Sequence, residues 1–420
     1  MNTRPLLALA CLASFGCAPV AGPVVVEALV PDLDADGFVA LDDVTLQTVV
    51  DLNAGRGERF DVRGDFKVNL TDLSDLGTDD FDAMVDRVRG DGGSDVGPHM
   101  HDEGGRYVAD DFETLFYFTV FANFEAAFAA ADLVGDTSRA TGTADEDHAI
   151  VGMYASVVLS PYLPLPLLSA DNAAYAAPVD GWLALRSAFQ QGVPFAMHRG
   201  VIAHEFGHRL FFHNVFTSVD GGFSVWRTDN TETEPDEAQV REQMLIKGLD
   251  EGLADVFAMS AMGDKDAITR AFAVAGNAFV PEARRRDVEG DFAGVATYDN
   301  LRTLDLPDDV LESCGFEDEG AAEFEKPFNF YCVGTVVAAA LWETAEGDPV
   351  TLRNEVSPAV LKALPKIGEA LVNDVVFDLD VFLEPFVLEL PVGRRRDAAC
   401  TAVRARFSSL LDAGKVPSCS

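Results

Sequence analysis

Three residues near the middle of the chain have the types and spacing for metal chemistry. His204, Glu205 and His208 lie in the run 200–213, Gly-Val-Ile-Ala-His-Glu-Phe-Gly-His-Arg-Leu-Phe-Phe-His. On a helix, positions i and i+4 share a face, so both imidazoles can bind one zinc ion while Glu205 stands beside it to take a proton from an attacking water. The apolar flanks predict a buried helix. Two core histidines satisfied by hydrogen bonds are the competing reading. A catalytic zinc usually has three protein ligands, so a third must be found. His213 lies about 900° around the helix from His204, on the opposite face, and is expected at the helix end. A sharp turn after His208 would be needed to bring it back, and Phe211 stands where metzincins have the turning glycine.

The better third ligand is Glu251, in Gly-Leu-Asp-Glu-Gly-Leu-Ala-Asp-Val-Phe-Ala at 248–258. Glu251 and Asp255 are again i and i+4, and Leu249, Leu253, Val256, Phe257 and Met259 argue for burial against a solvated acidic face. Buried carboxylates need a partner, which a zinc ion and its histidines supply. A His-Glu-x-x-His helix followed by a Glu-x-x-x-Asp helix resembles the gluzincin metallopeptidases of the thermolysin and fungalysin types. The resemblance implies His204, His208 and Glu251 as zinc ligands, Glu205 as general base, and Asp255 as the acceptor that orients a ligand histidine. Asp171-Asn172-Ala173-Ala174-Tyr175 resembles the edge strand with which that family holds substrate backbone, implying that Asn172 and Ala173 pair with the peptide. The approach 196–204 is also similar, and the likeness runs from about residue 110 to about residue 345.

Two departures stand out. The 42 residues between His208 and Glu251 exceed the usual interval, and Thr228 to Gln239 reads as a surface insertion. No histidine follows His213, although thermolysin-like enzymes have a transition-state histidine after the third ligand. Tyr331, in Phe-Asn-Phe-Tyr-Cys-Val-Gly at 328–334, occupies that place, and Tyr298 is a second candidate. A phenol can donate to a developing oxyanion, and an ordinary half-buried aromatic is the alternative for Tyr331.

The elements that must position these residues follow from pattern and resemblance together. Val151 to Leu159 and Asn172 to Tyr175 read as strands. The implied fold is an α+β, zincin-like metallopeptidase at 106–420, with a sheet-containing upstream lobe, the active-site helix and a mainly helical downstream lobe. Ahead of it, Asp32, Asp34, Asp36 and Asp43 occupy positions 1, 3, 5 and 12 of an EF-hand-type calcium loop with Gly37 at the turn and Val44, Leu46, Val49 and Val50 on an exiting helix. Asp61, Asp65, Asn69 and Asp72 repeat the pattern, with Arg63 and Phe66 at odds with it. The pair resembles the duplicated segments of dockerins, implying a calcium-binding module at 28–90 that docks to a partner scaffold, then a linker at 91–105 in which His99 and His101 are solvated.

Composition bounds the rest. The chain has 420 residues and a net charge of −39, which excludes phosphate recognition as a default role, while 48% hydrophobic content marks a folded protein. One arginine, an apolar run and Ser14-Phe15-Gly16-Cys17 resemble a lipoprotein signal at 1–17 lipidated on Cys17, with ordinary cleavage nearby as the alternative. No other stretch reaches a membrane span of about 18 continuous apolar residues. Four further cysteines predict two disulfides in an exported chain, Cys314 with Cys332 and Cys400 with Cys419 by locality. The expected function is an exported, lipid-anchored zinc endopeptidase at the cell envelope or outside the cell. The alternatives are a catalytically silent zincin-fold surface binding protein and calcium-dependent docking to a scaffold.

Overall fold

The computed structural model describes residues 19–420 except 33, 35–37, 70–80, 90–91, 136–148, 159–163, 167–171, 186–192, 232–236, 276–285, 304–305 and 308–329. Among the described residues every strand precedes residue 186, and helix dominates from residue 199 onward, a mixed α+β architecture. The signal at 1–17, Cys17 and Asp171 lie outside the described residues.

Alternation builds the first elements. In β1 (Val24–Pro31), Val24, Val26 and Ala28 are buried on one face, the period-2 pattern of a half-buried strand. It turns back as an antiparallel hairpin into β2 (Val39–Leu46), with Val24 opposite Leu46 and Pro31 opposite Val39. Asp32 N–H donates to Phe38 O at 3.0 Å to close the turn, and Asp32 Oδ1 accepts from Asp34 N–H at 2.9 Å.

This hairpin corrects the expected exiting helix of the calcium module. Asp43 and Val44, which an EF-hand places at the start of its exiting helix, lie in β2, and Asp43 is ion-paired with Arg106. Asp32 and Asp34 are turn residues, and Asp36 lies outside the described residues. An Asp-Gly turn suits a hairpin as well as an ion loop, and the alternating apolar residues beside it favour the hairpin. In the second copy Asp61 lies in a strand, Phe66 is fully buried and Arg63 pairs with Asp95 at 2.9 Å, while Asp72 lies outside the described residues.

Nor does the segment 28–90 stand apart as a dockerin-like unit. Its strands β3 (Val49–Asp51), β4 (Arg56–Gly57) and β5 (Phe60–Arg63) belong to one six-stranded sheet with β9 (Ala149–Met153), β12 (Asn172–Ala176) and β13 (Gly181–Leu185), in the order β12-β13-β9-β5-β4-β3. β5 runs parallel to β9, Phe60 opposite Ala149. A short β6 (Lys67–Asn69) pairs with β10 (Ser156–Val158), which pairs in turn with β11 (Pro164–Pro166). The expected linker holds β7 (Met100–Asp102), which pairs with β8 (Arg106–Ala109) beside the first hairpin, and a bridge from Ser94 to Gly64. His99 and His101 are exposed, and each lies within 2.9 Å of an aspartate, Asp111 and Asp110 respectively.

After α1 (Phe81–Arg89), the long α2 (Phe112–Val134) starts where the Asp111 side chain accepts from Thr114 N–H, and ends at Gly135, whose φ of 80° suits glycine. By length and composition α2 could cross a membrane, but it is mostly buried, and Phe121, Phe124 and Phe128 pack within 6.0 Å of the Phe60 ring on β5.

Two apolar cores meet at the central helix α3 (Arg199–Phe212). Val201, Ile202 and Phe206 belong to the core of α2 and the large sheet, while Phe211 and Phe212 belong to that of the C-terminal helices. Within the segment 228–239, residues 228–231 end α4 (Gly222–Thr231) and 237–239 begin α5 (Glu237–Met262), and 232–236 lie outside the described residues. α5 lies between α3 and the helix Phe330–Thr344. Glycines allow that close approach: a Cβ on Gly207 would stand 2.6 Å from Ala254 Cα, and one on Gly252 2.4 Å from Gly334 O. Cys400 and Cys419 are bonded as expected. Cys332 is also in a disulfide, and its expected partner Cys314 lies outside the described residues.

Candidate metal centre

The i, i+4 spacing on α3 and the facing stretch of α5 converge three donor atoms. His204 Nε2 and His208 Nε2 are 3.1 Å apart, and Glu251 Oε2 lies 3.4 Å from the first and 3.9 Å from the second. Tetrahedral zinc with bonds of about 2.0–2.1 Å sets its ligand atoms about 3.3 Å apart, so these donors have the spacing of three corners of a zinc site.

Each imidazole is held from behind. His204 Nδ1 is 2.8 Å from Asp255 Oδ1, and His208 Nδ1 is 2.9 Å from Asp250 Oδ1, which leaves both Nε2 atoms to the centre. Arg286 completes the frame: Nη1 donates to Asp255 Oδ1 at 2.8 Å and Nη2 to Glu251 Oε2 at 2.9 Å. Among the described residues, Glu205, Asp250, Glu251 and Asp255 gather around the two imidazoles while Arg286 contacts two of these four carboxylates, an excess of negative charge that suits a cation.

The proton affinities express that excess. Burial alone would lower the His208 pKa, but Asp250 and Glu251 raise it to about 10. His204 is likewise raised, by Asp255 and Glu251 against its burial. Burial raises Glu205, in the direction a general base needs. Glu251 moves the other way, because Arg286 and His208 outweigh its burial. In these positions a metal ion would replace protons on the two histidines.

The same donors open on a cavity of about 790 Å³ lined by Ala173, Ala174, Tyr175, Glu205, Arg286 and Tyr331, among others. β12, which carries Asn172 and Ala173, is the outer strand of its sheet, pairing among the described strands with β13 alone. Tyr175 N–H on that strand donates to Glu205 Oε2 at 2.9 Å, fixing the carboxylate against the strand. Tyr331 is half-buried, its ring 4.7 Å from the Arg286 guanidinium. Tyr298 is elsewhere: it is fully buried and donates to Asp378 Oδ1 at 2.6 Å, which corrects its candidacy. Trp226 of α4 also lines the cavity, so the long interval between the motifs contributes to the site wall.

Behind β12 lies a second buried network. Asp180, at the turn between β12 and β13, accepts from Arg209 Nε at 2.9 Å and Tyr175 OH at 3.1 Å and lies 2.7 Å from His213 Nε2. His213 is therefore a helix-end residue with its own partner, off the metal. Arg89 of α1 donates to the Asp180 and Val179 carbonyls. Sequence reasoning does not single out Asp250, Arg286, Asp180, Arg209 or Arg89 in these frames; Asp250, next to Glu251 in the chain, carries the only usable signal. The chain matches no known protein-family model and no curated protein.

Proposed function

We propose that the chain is an exported zinc-dependent endopeptidase of the gluzincin type, with the two-lobed zincin-like arrangement and its substrate cleft along β12. The observation that carries this reading is the convergence of His204 Nε2, His208 Nε2 and Glu251 Oε2 beside Glu205 and an edge strand on one cavity. His204, His208 and Glu251 would hold the zinc, which when bound supplies a Lewis acid for a peptide carbonyl and acidifies water. Asp255 and Asp250 keep the two imidazoles oriented. The edge of β12 that no described strand covers offers backbone hydrogen bonds to an extended peptide, as in strand addition. Glu205, already raised by burial, takes the proton of the attacking water and passes it to the leaving amine. Tyr331 donates to the oxygen that gains charge, and Arg286 beside it adds positive charge. Export and lipidation at Cys17 belong to the same reading and rest on the N-terminal pattern.

The test pairs metal content with hydrolysis. Wild type is expected to hold about one zinc per chain and to cleave casein, and Glu205→Gln to keep the metal while losing cleavage by at least about 100-fold. Zinc-free, normally folded wild type would refute the assignment. Zinc retention by wild type with no cleavage across a peptide library would instead select the silent binding protein.

A further inference from the structure

Arg199, on a different face of α3 from the histidines, carries a charge that no acidic group among the described residues neutralises. Its Nε donates to Asn123 Oδ1 at 3.3 Å, and no ion pair reaches it among the described residues. Burial lowers its pKa, with no carboxylate to offset the effect. The chain has 70 acidic and 31 basic residues, and the buried Arg209, Arg286 and Arg406 all sit on carboxylates.

Asn123 belongs to the same arrangement. It is fully buried in the middle of α2 between Ala122 and Phe124, where an unpaired amide would be costly. Its Nδ2 donates to Met197 O at 3.2 Å, which leaves Oδ1 for Arg199. A buried amide thus steadies a guanidinium that lines a cavity of about 320 Å³ walled by Val30, Pro31, Ala127, Ala203 and Met262.

We propose that this cavity binds an apolar monocarboxylate, its carboxylate on Arg199 and its hydrocarbon body against Val30, Ala127 and Met262. One cation matches one negative charge. Among the described residues the walls carry no acidic group for an ammonium, which disfavours a free amino acid. At about 30 Å³ per water-sized group the space holds roughly ten heavy atoms, the size of octanoate. Such a carboxylate could come from a fatty acid or from the end of a peptide with an apolar last residue.

Calorimetric titration of the full chain, with metal present and after chelation, tests the site with octanoate, octanol and N-acetyl-leucine. Octanoate is expected to bind one-to-one with and without the metal, and octanol at least about 10-fold more weakly. Arg199→Met should lose at least about 10-fold in octanoate affinity, and Ala126→Leu, which narrows the cavity while leaving the charge, should lose affinity as well. Tighter binding of N-acetyl-leucine than of octanoate would assign the site to peptide ends, and the reverse to fatty acids. No saturation by either carboxylate up to about 10 mM, equal binding of octanol, or unchanged affinity in both variants would overturn the proposal. If Arg199→Met does not fold, octanol against octanoate on the native chain and Ala126→Leu still decide.

Discussion

Arg286→Met removes the guanidinium that, among the described residues, contacts the buried carboxylates of the candidate metal centre. Two charge-assisted hydrogen bonds go with it, at 2.8 Å to Asp255 and 2.9 Å to Glu251. Both acceptors and Arg286 itself are almost fully buried, so solvent does not screen the loss. Methionine fills much of the arginine volume, so the cost is electrostatic more than a cavity. Breaking a buried ion pair from one side typically costs about 3–5 kcal/mol, against about 0–1 kcal/mol for a surface pair. The check is urea unfolding at pH 7, in excess zinc and in chelator. In chelator the variant should lose about 3–5 kcal/mol, and in zinc less, because a cation bound at Glu251 replaces part of the missing charge. The chelator loss should also shrink on acidification. Glu251 is depressed in the wild type, so its stabilising contribution is present above its unfolded pKa of about 4.3 and is lost as pH falls. A chelator loss below about 1 kcal/mol, or a larger loss in zinc than in chelator, would refute the reasoning.

Three further outcomes are expected. Tyr331→Phe should lower kcat by about 100-fold with KM and zinc content little changed, as for loss of one oxyanion donor; steady-state kinetics with metal analysis would show it. His198, buried at the start of α3 with no partner for Nε2 among the described residues, is held near pKa 4 by burial, so it is neutral in the fold where the unfolded chain is protonated. Stability should therefore rise with pH between about 4 and 6.5 by up to about 3 kcal/mol, and His198→Phe should flatten that slope in unfolding curves measured across the window. Asp180→Asn should cost about 3–5 kcal/mol in urea unfolding, since Arg209 and His213 would be left buried without their counter-charge. The backbone is not the cause of that loss: Asp180 has φ 41°, a region that asparagine also tolerates.

The candidate metal centre was legible because its parts are periodic. His204 with His208, and Glu251 with Asp255, are each one helical turn apart on apolar helices, so spacing alone assigns them to faces. Arg286 offered no such signal: it lies more than 30 residues from the carboxylates it serves, and a lone arginine carries no period. Asp250 sits about 100° around α5 from Glu251, so its meeting with His208 needs the packing of α3 on α5 to be known. The N-terminal segment misled for a local reason. Its Asp-Gly turn is common to ion loops and hairpins, and the alternation of Val24, Val26 and Ala28 just upstream is what separates them. The parallel pairing of β5 with β9 joins residues about 90 apart, and only burial on both strands, Val62 beside Val151, records it.

That pairing also bears on how the chain comes to fold. β12 rests on β13, β13 on β9, and β9 on β5, so the strand beside Glu205 depends on residues contributed from 60 to 185. Parallel neighbours this distant must close long loops before any hydrogen bond compensates the lost chain entropy, which makes such sheets slow to assemble. The α3 helix and its histidines are local and can form early, whereas the ledge beside them waits for the slowest closure. During synthesis the helix that carries His204 and His208 can therefore form before the edge strand beside it, and the cavity between them is complete only once the sheet has closed.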